Sequence, residues 1–415
     1  MVVNRELICM KNLFLLFLSL MLMSCAQKTS RLEKKNIDQP KSPLAAKVNI
    51  PIQKSKESVA SQLSPSSKGQ LLFGKILSDV KVSANYFNPS KGDEVAIYYF
   101  LSKPAKITVK VYDPDGGLVR ILENSKKYDP GKHSVIWDGR DVEGRIVPDE
   151  AYFFTIIAED ANGKREVYDP TTFSGGVEHD ITSAEINPES GVITYKMPEM
   201  GRVMIRIGLK DGPLLNPLVD WKPRVKGMIT EYWNGKDKDN LIDLYKNPRL
   251  KIIITYFTLP ENSVIAYGNN ALTYRSYKKT IAQNRPKKPE RLRVQAVKLS
   301  PHYKLSRTID YSPNIEMTFI NVKRMLKSKV PVLSGKTIVK VDLAKEDRFN
   351  FENQQFEICF FLDNEFYAED ETGYTPFNWV WNLSDVTPGE HLLTVNISSF
   401  KDQVGVVTKK VYIEK

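Results

Sequence analysis

The sequence predicts an all-β chain, built as three β-sandwich domains in tandem behind a signal peptide and a disordered tether. Three observations predict it. Apolar residues alternate with period two through short runs bounded by Gly, Pro and Asp. A block of about 40 residues recurs at a constant offset of 96. The 415 residues, 41% of them hydrophobic, suffice for several separate cores. The expected divisions are a signal peptide over 1–24, a flexible tether over 25–75 and a first sandwich over 76–168. A diverged second sandwich follows over 169–275, then a basic connecting segment over 276–329 and a third sandwich over 330–415.

At the N-terminus, Lys11 precedes NLFLLFLSLMLM, an apolar run too short to span a membrane but right for the core of a signal peptide. It ends in Leu22-Met23-Ser24-Cys25. This stretch resembles the lipobox of bacterial lipoproteins, with an apolar residue three before the cysteine and a small one just before it. The resemblance implies that the Cys25 thiol receives a diacylglyceryl group and that Cys25 becomes the first residue of the mature chain. The acyl groups, palmitate among them, would then make the membrane a partner. An ordinary secretory signal with a chance cysteine is the alternative. Met10 offers a second start, from which Cys9 is absent. Ala26 follows Cys25 where no acid stands. By resemblance to Gram-negative lipoprotein sorting this implies the outer membrane, with the leaflet open. Lipidation leaves Cys359 alone, so no internal disulfide is expected.

From Ala26 to about Lys68 the chain is rich in Lys, Ser, Pro and Gln. It reads as a flexible tether reaching roughly 35 Å. The strands begin beyond it. In KITVKVYD, Ile107, Val109 and Val111 share one face of a half-buried strand, and DPDGG follows as turn chemistry. HSVIW is a second short strand. In AYFFTIIAED, Tyr152, Phe154, Ile156 and Ala158 share a face.

The repeat carries Tyr99 onto Tyr195, Val109 onto Ile205, Val111 onto Ile207, Trp137 onto Trp233, Gly139 onto Gly235 and Asp141 onto Asp237. WDGRD answers to WNGKD. A period near a hundred residues suits tandem sandwiches rather than a solenoid. The second copy diverges before its last strand, in NLIDLYKNPRLKIIITYF. After it comes a basic stretch between Lys278 and Lys329, read as an interdomain connection that is strand-like in RLRVQAVKLS. In the third section Phe356, Ile358, Phe360 and Leu362 alternate, as do Leu393, Val395 and Ile397.

VKVYDPDGGLVRIL, followed by GKHSVIWDGRDVEGRIVPDEAYFFTIIAED, resembles the immunoglobulin-like domain of the flagellar hook-capping scaffold family. The matching positions are Gly131, His133, Trp137, Asp138, Gly139 and Tyr152, and the likeness covers roughly residues 76–165. It implies a sandwich of that type. A flagellar role is not implied, because a tether stands where the family has its N-terminal region. The second domain is a weakened copy, with Asn234 for the Asp. The segment FFLDNEFYAEDETGYTPFNWVWNLSDVTPGEHLLTVNISSF is similar to bacterial immunoglobulin-like surface modules, which serve as spacers or binding units.

The Trp137, Asp138, Gly139, Asp141 cluster and its echo in Trp233, Gly235 and Asp237 admit a structural and a chemical reading. As a turn, the tryptophan closes a core, the glycine permits the bend, and the acids bond turn amides. Catalysis needs two carboxylates poised across a cleft. The loss of an acid at Asn234, with Trp and Gly kept, fits the turn. Calcium could use Asp113, Asp115, Asp138 and Asp141, but the EF-hand spacing is missing. The four histidines lack metal-ligand spacing, and no phosphate loop or serine elbow occurs. No catalytic residue, no metal and no cofactor are therefore expected, apart from the covalent lipid at Cys25.

In the third domain Tyr374, Phe377, Trp379 and Trp381 are candidate ligand-facing aromatics. Trp379 and Trp381 share one strand face, and the alternative reading is that this face is core. The formal charge of +11 suits anionic partners or a merely solvated surface, and nucleic acid is not expected. The sequence therefore predicts a non-catalytic envelope lipoprotein that binds or scaffolds a protein or an envelope polymer. A carbohydrate- or peptidoglycan-binding surface protein and an accessory subunit of an envelope enzyme or assembly machine are the alternatives.

Overall fold

The computed structural model describes residues 48–49, 76–284, 290–295, 299–351 and 354–415; the signal peptide, Cys25 and nearly all of the tether lie outside them. The described chain is dominated by strands arranged in three β-sandwiches. No described helix is long and apolar enough to cross a membrane.

In the first sandwich, a sheet of Leu77–Val82, Val95–Leu101 and Gly131–Trp137 faces one in which Ala105–Tyr112 lies between Leu118–Tyr128 and Glu150–Glu159. The period-two pattern explains the packing. Ile107, Val109, Val111, Tyr152, Phe154, Ile156 and Ala158 all point into one core and are buried. Burying each of the larger ones contributes about 1.5–3 kcal/mol.

The second sandwich repeats the plan at the same offset. Val192–Met197 pairs with Gly227–Tyr232 in one sheet, and Gly201–Leu209 lies between Leu214–Arg224 and Leu250–Thr258 in the other. Val48–Asn49 joins it, with Val48 opposite Ile186 of Ala184–Asn187. This part of the expected tether therefore covers a sheet edge that would otherwise be bare.

The third sandwich sets Ile315–Ile320, Lys336–Leu343 and Phe377–Asn382 against a six-stranded sheet centred on Val404–Ile413, Gly389–Ser399 and Phe356–Leu362. Cys359 lies in the last of these strands with a free thiol, and burial is the main cause that pushes its pKa up to about 12.

Two boundaries differ from the expected ones. Val264–Ala266, expected within 169–275, returns to the first sandwich, antiparallel to Glu150–Glu159 and parallel to Tyr86–Phe87. Val264 and Ala266 enter its core because the run alternates onto an apolar edge. The segment expected as a connection over 276–329 is also structured. Helix Tyr274–Asn284 spans its start, and Ile315–Ile320 begins the third sandwich, its Ile315 and Met317 alternating into that core. RLRVQAVKLS makes one isolated bridge, Arg291 to Gly117, rather than a strand, with 296–298 outside the described residues.

Candidate functional site

The two tryptophan corners superimpose in their chemistry. Trp137 Nε1 donates to the Arg140 carbonyl at 3.1 Å, and Trp233 Nε1 to the Lys236 carbonyl at 2.8 Å. The Arg140 and Lys236 amides donate to the side chains of Asp138 and Asn234 at 3.1 and 3.0 Å. The Val142 amide reaches the Val119 carbonyl at 3.0 Å, and Lys238 reaches Leu215 at 2.9 Å. Each of these partners keeps the same sequence offset. Gly139 and Gly235 sit at φ 70° and 76°, where a side chain is strained. A Cβ there would lie 2.4 Å from Pro89 in the first corner and 2.1 Å from the Tyr245 ring in the second.

Each indole is closed by a tyrosine. Tyr152 meets Trp137 at 5.3 Å and 65° from inside a strand. Tyr245 meets Trp233 at 4.7 Å and 62° from the loop before Leu250–Thr258. The closing aromatic comes from a strand in the first corner and from a loop in the second.

The carboxylates are engaged. Asp141, 1% exposed, accepts from the amides of Glu143 and Arg145, from the Arg145 guanidinium at 2.7 and 2.9 Å, and from Tyr277 Oη at 3.2 Å. Asp237 accepts from the amides of Asp239, Leu241 and Ile242. Asp138 pairs with Arg120 at 2.9 Å. Asp113 accepts from Gly117 N at 2.7 Å and Lys278 Nζ at 2.6 Å. Burial raises its pKa and Lys278 opposes the rise. Asp115 takes Tyr274 Oη at 2.9 Å and the Arg307 amide at 3.0 Å. Oxygens that calcium would need already accept from protein donors. Among the described residues no group of three His, Cys, Asp or Glu side chains could hold a metal.

The last sandwich also buries a tryptophan near the end of an edge strand, but its Nε1 lacks the carbonyl partner that Trp137 and Trp233 have. Trp381 is 1% exposed near the end of Phe377–Asn382, and the Ser384 amide donates to Asn382 Oδ1 at 3.3 Å. Trp381, Asn382 and Asp385 keep the spacing of Trp233, Asn234 and Asp237. The likeness stops at the spacing: Leu383 stands where the other two have glycine, and Asp385 takes the Ser384 hydroxyl where Asp237 takes turn amides.

Trp379 and Trp381 do share a face, and it is the inner one. Their rings stack at 5.4 Å and 16°, Phe360 lies 4.3 Å from Trp379, and Tyr367 crosses both at 5.7 and 6.0 Å. Phe377 is half-buried against Phe360. Of the four candidate aromatics, Tyr374 is the exposed one, at 53%.

A dense set of polar contacts lies between the sandwiches, at residues that carry no motif in the sequence. Glu150 of the first and Arg202 of the second meet at 2.5 Å with both side chains buried. Arg202 also donates to the Trp221 carbonyl at 3.2 Å, and the Trp221 ring stacks on His302 at 4.3 Å. Arg307 pairs with Asp310 and lies over the Phe257 ring. Helix Tyr274–Asn284 brings Tyr274, Tyr277 and Lys278, spaced to share one face, onto Asp115, Asp141 and Asp113. The third sandwich is held by Arg275 to Asp347 at 3.0 Å and by Asn396, whose amide bonds both backbone groups of Leu214 at 2.9 Å. Several cations of the basic stretch are thus spent internally: Lys278, Arg307, and Lys323 with Arg324 on Glu414. Lys287, Lys288 and Lys298 lie outside the described residues. No local signature marks these pairs, because their members come from different domains.

Residues 84–162, which contain the first corner, match the family model of the FlgD Ig-like domain. The first sandwich is similar to that domain. Among solved structures, FlgD from P. aeruginosa is 21% identical over 27% of this chain and 73% of that one, with a TM-score of 0.18. The central fibronectin-III array of RIM-binding protein is 8% identical over 83% of this chain and 98% of that one, with a TM-score of 0.17. A comparison with curated proteins gives no match. Immunoglobulin-like domain families of this kind are generally non-catalytic.

Proposed function

We propose that this chain is a non-catalytic lipoprotein of the bacterial envelope that binds or scaffolds a partner through its immunoglobulin-like domains. The observation that carries the reading is the buried joint between sandwiches, led by Glu150 and Arg202. Charges so deeply buried are costly unless held in one geometry. An array of sandwiches fixed in this way presents its loops at set distances, which is what a scaffold needs and a string of loose modules lacks. The LMSC stretch supports an anchor at Cys25. Acyl chains there contribute about 0.8 kcal/mol per buried methylene. Ala26 supports an outer-membrane destination.

The test is to express the full chain in a Gram-negative host with labelled palmitate. Label should appear on the wild type, which should fractionate with the outer membrane. Cys25→Ser should lose the label and enter the soluble periplasmic fraction. Unlabelled wild type would reject the anchor. For the scaffold role, in-cell crosslinking from the exposed Tyr374 and Val142 positions should trap a discrete envelope protein. Recovery of glycan strands alone would move the assignment to a cell-wall-binding protein.

A further inference from the structure

One sheet edge breaks a rule that the others keep. Natural sheets guard their edges with charge, proline, bulges or shortness, because a bare edge pairs with another chain. Among the described edge strands of four residues or more, Leu77–Val82 carries Asp79, Lys81 and a bulge, and Gly131–Trp137 carries Lys132. Gly227–Tyr232 carries Glu231, Ile315–Ile320 carries Glu316, and Glu365–Asp370 carries three acids. Leu118–Tyr128, Leu214–Arg224 and Arg165–Tyr168 are charged as well, and Ala184–Asn187 is covered by Val48–Asn49. Phe377–Asn382, sequence FNWVWN, carries no charge and no proline, and its pairing with Lys336–Leu343 has no register shift.

The free side of this strand can be assigned. The Leu383 amide donates to the Gly335 carbonyl at 2.9 Å, and Trp381 and Trp379 stand opposite Thr337 and Val339. Ladder alternation then turns the backbone groups of the Trp residues toward the sheet and those of Asn378, Val380 and Asn382 away from it. These three residues are exposed, Val380 at 61%.

The occupant follows from the sequence of the edge. Asn378-Trp379-Val380-Trp381-Asn382 is a palindrome about Val380. Two copies related by a two-fold axis through Val380 would pair antiparallel, Val380 facing Val380 and Asn378 facing Asn382 of the second copy. The residues whose backbone groups point outward are the ones that would form bonded pairs, giving about six backbone hydrogen bonds at two per pair. Asn side chains opposite one another can exchange amide hydrogen bonds, and Trp379 would neighbour Trp381 across the seam. With no charge on the strand, the axis brings no like charges together.

We propose that Phe377–Asn382 is a self-association edge, through which two copies of this chain join their three-stranded sheets into one six-stranded sheet. An edge of six residues buries less than the roughly 1,200–2,000 Å² of a stable interface. Association is therefore expected in the micromolar range in solution. It would strengthen where two copies share a membrane, a clause that rests on the lipid anchor proposed above.

The test uses sedimentation velocity of the full chain carrying Cys25→Ser, so that it does not depend on lipidation. A monomer–dimer equilibrium across the micromolar range is expected. Val380→Lys and Val380→Glu should each be monomeric with unchanged thermal unfolding, because the side chain is exposed. Mixing the two should restore a dimer, since Lys then faces Glu across the axis. A parent that stays monomeric throughout would overturn the proposal. So would a dimer that Val380→Lys leaves intact, or monomeric variants that do not recombine when mixed.

Discussion

The first and second sandwiches share a tryptophan corner yet use the outer face of the adjoining strand in opposite ways. In the first copy Lys106 is exposed. At the equivalent place in the second copy stands Arg202, 2% exposed and paired with Glu150. Four residues on, Lys110 bonds Glu290 at the surface, whereas Arg206 is buried against Asp220 at 2.6 Å. The middle sandwich has turned a solvated face into a joint. Arginine suits that change, since its planar fork keeps several fixed donors when water is removed. Duplication preserved what closes each core and freed the outer faces to diverge.

The largest expected effect tests whether the cores are equivalent. Trp137→Ala and Trp233→Ala should each cost about 3–5 kcal/mol, as large aromatic truncations in cores do. Urea denaturation of the full chain gives both numbers. A loss below about 1 kcal/mol for Trp233→Ala would show that Tyr245, arriving from a loop, does not close its corner as Tyr152 does.

Next comes the joint. Arg202→Ala strands Glu150 in a buried site and should cost about 3–5 kcal/mol, whereas Lys106→Ala, its exposed counterpart, should change stability by no more than about 0.5 kcal/mol. The double change Glu150→Leu with Arg202→Met should recover most of the loss, because well-packed apolar groups replace buried ion pairs at little cost. If it does not recover, the charges themselves hold the two sandwiches in register.

What the sequence revealed follows the range of the interactions. The strands around Val109 and Phe154, and the copy relating Trp137 to Trp233, rest on local alternation and on a repeated turn, both visible in one dimension. The return of Val264–Ala266 to the first sandwich was not visible, since a three-residue strand has no period of its own. The setting of Trp221 was hidden for a related reason. Its partner His302 lies in a distant turn, and nothing near Trp221 announces the contact. The inward aim of Trp379 and Trp381 was half legible. Spacing put them on one face, and only the Phe360 and Tyr367 rings reveal that this face is inner.

A smaller effect separates the two equivalent aspartates. Asp141 holds two amides, the Arg145 guanidinium and Tyr277, while Asp237 holds amides alone. Asp141→Asn keeps the one oxygen that its two amides share, and Asp237→Asn keeps the oxygen bound by Leu241 and Ile242 while losing the one bound by Asp239. The first also removes a charge-assisted partner of Arg145 and should cost about 1–3 kcal/mol, against about 1 kcal/mol for the second. Equal costs would mean that the amide bonds carry the corner and that the guanidinium adds nothing.

The smallest effect concerns the position where the copies already differ. Asp138 pairs with Arg120, each side chain about a third exposed, at 36% and 35%. Asn234 does the same turn work by accepting from the Lys236 amide without any cation. Asp138→Asn therefore recreates in the first corner what the second already has. It keeps the bond from the Arg140 amide and gives up only a surface ion pair, which is worth about 0–1 kcal/mol and is screened by salt. Denaturation at low and high salt should show a small deficit that vanishes as salt rises. A deficit that persists at high salt would assign Asp138 a structural duty that Asn cannot perform, and the second corner would then have found another way to meet it.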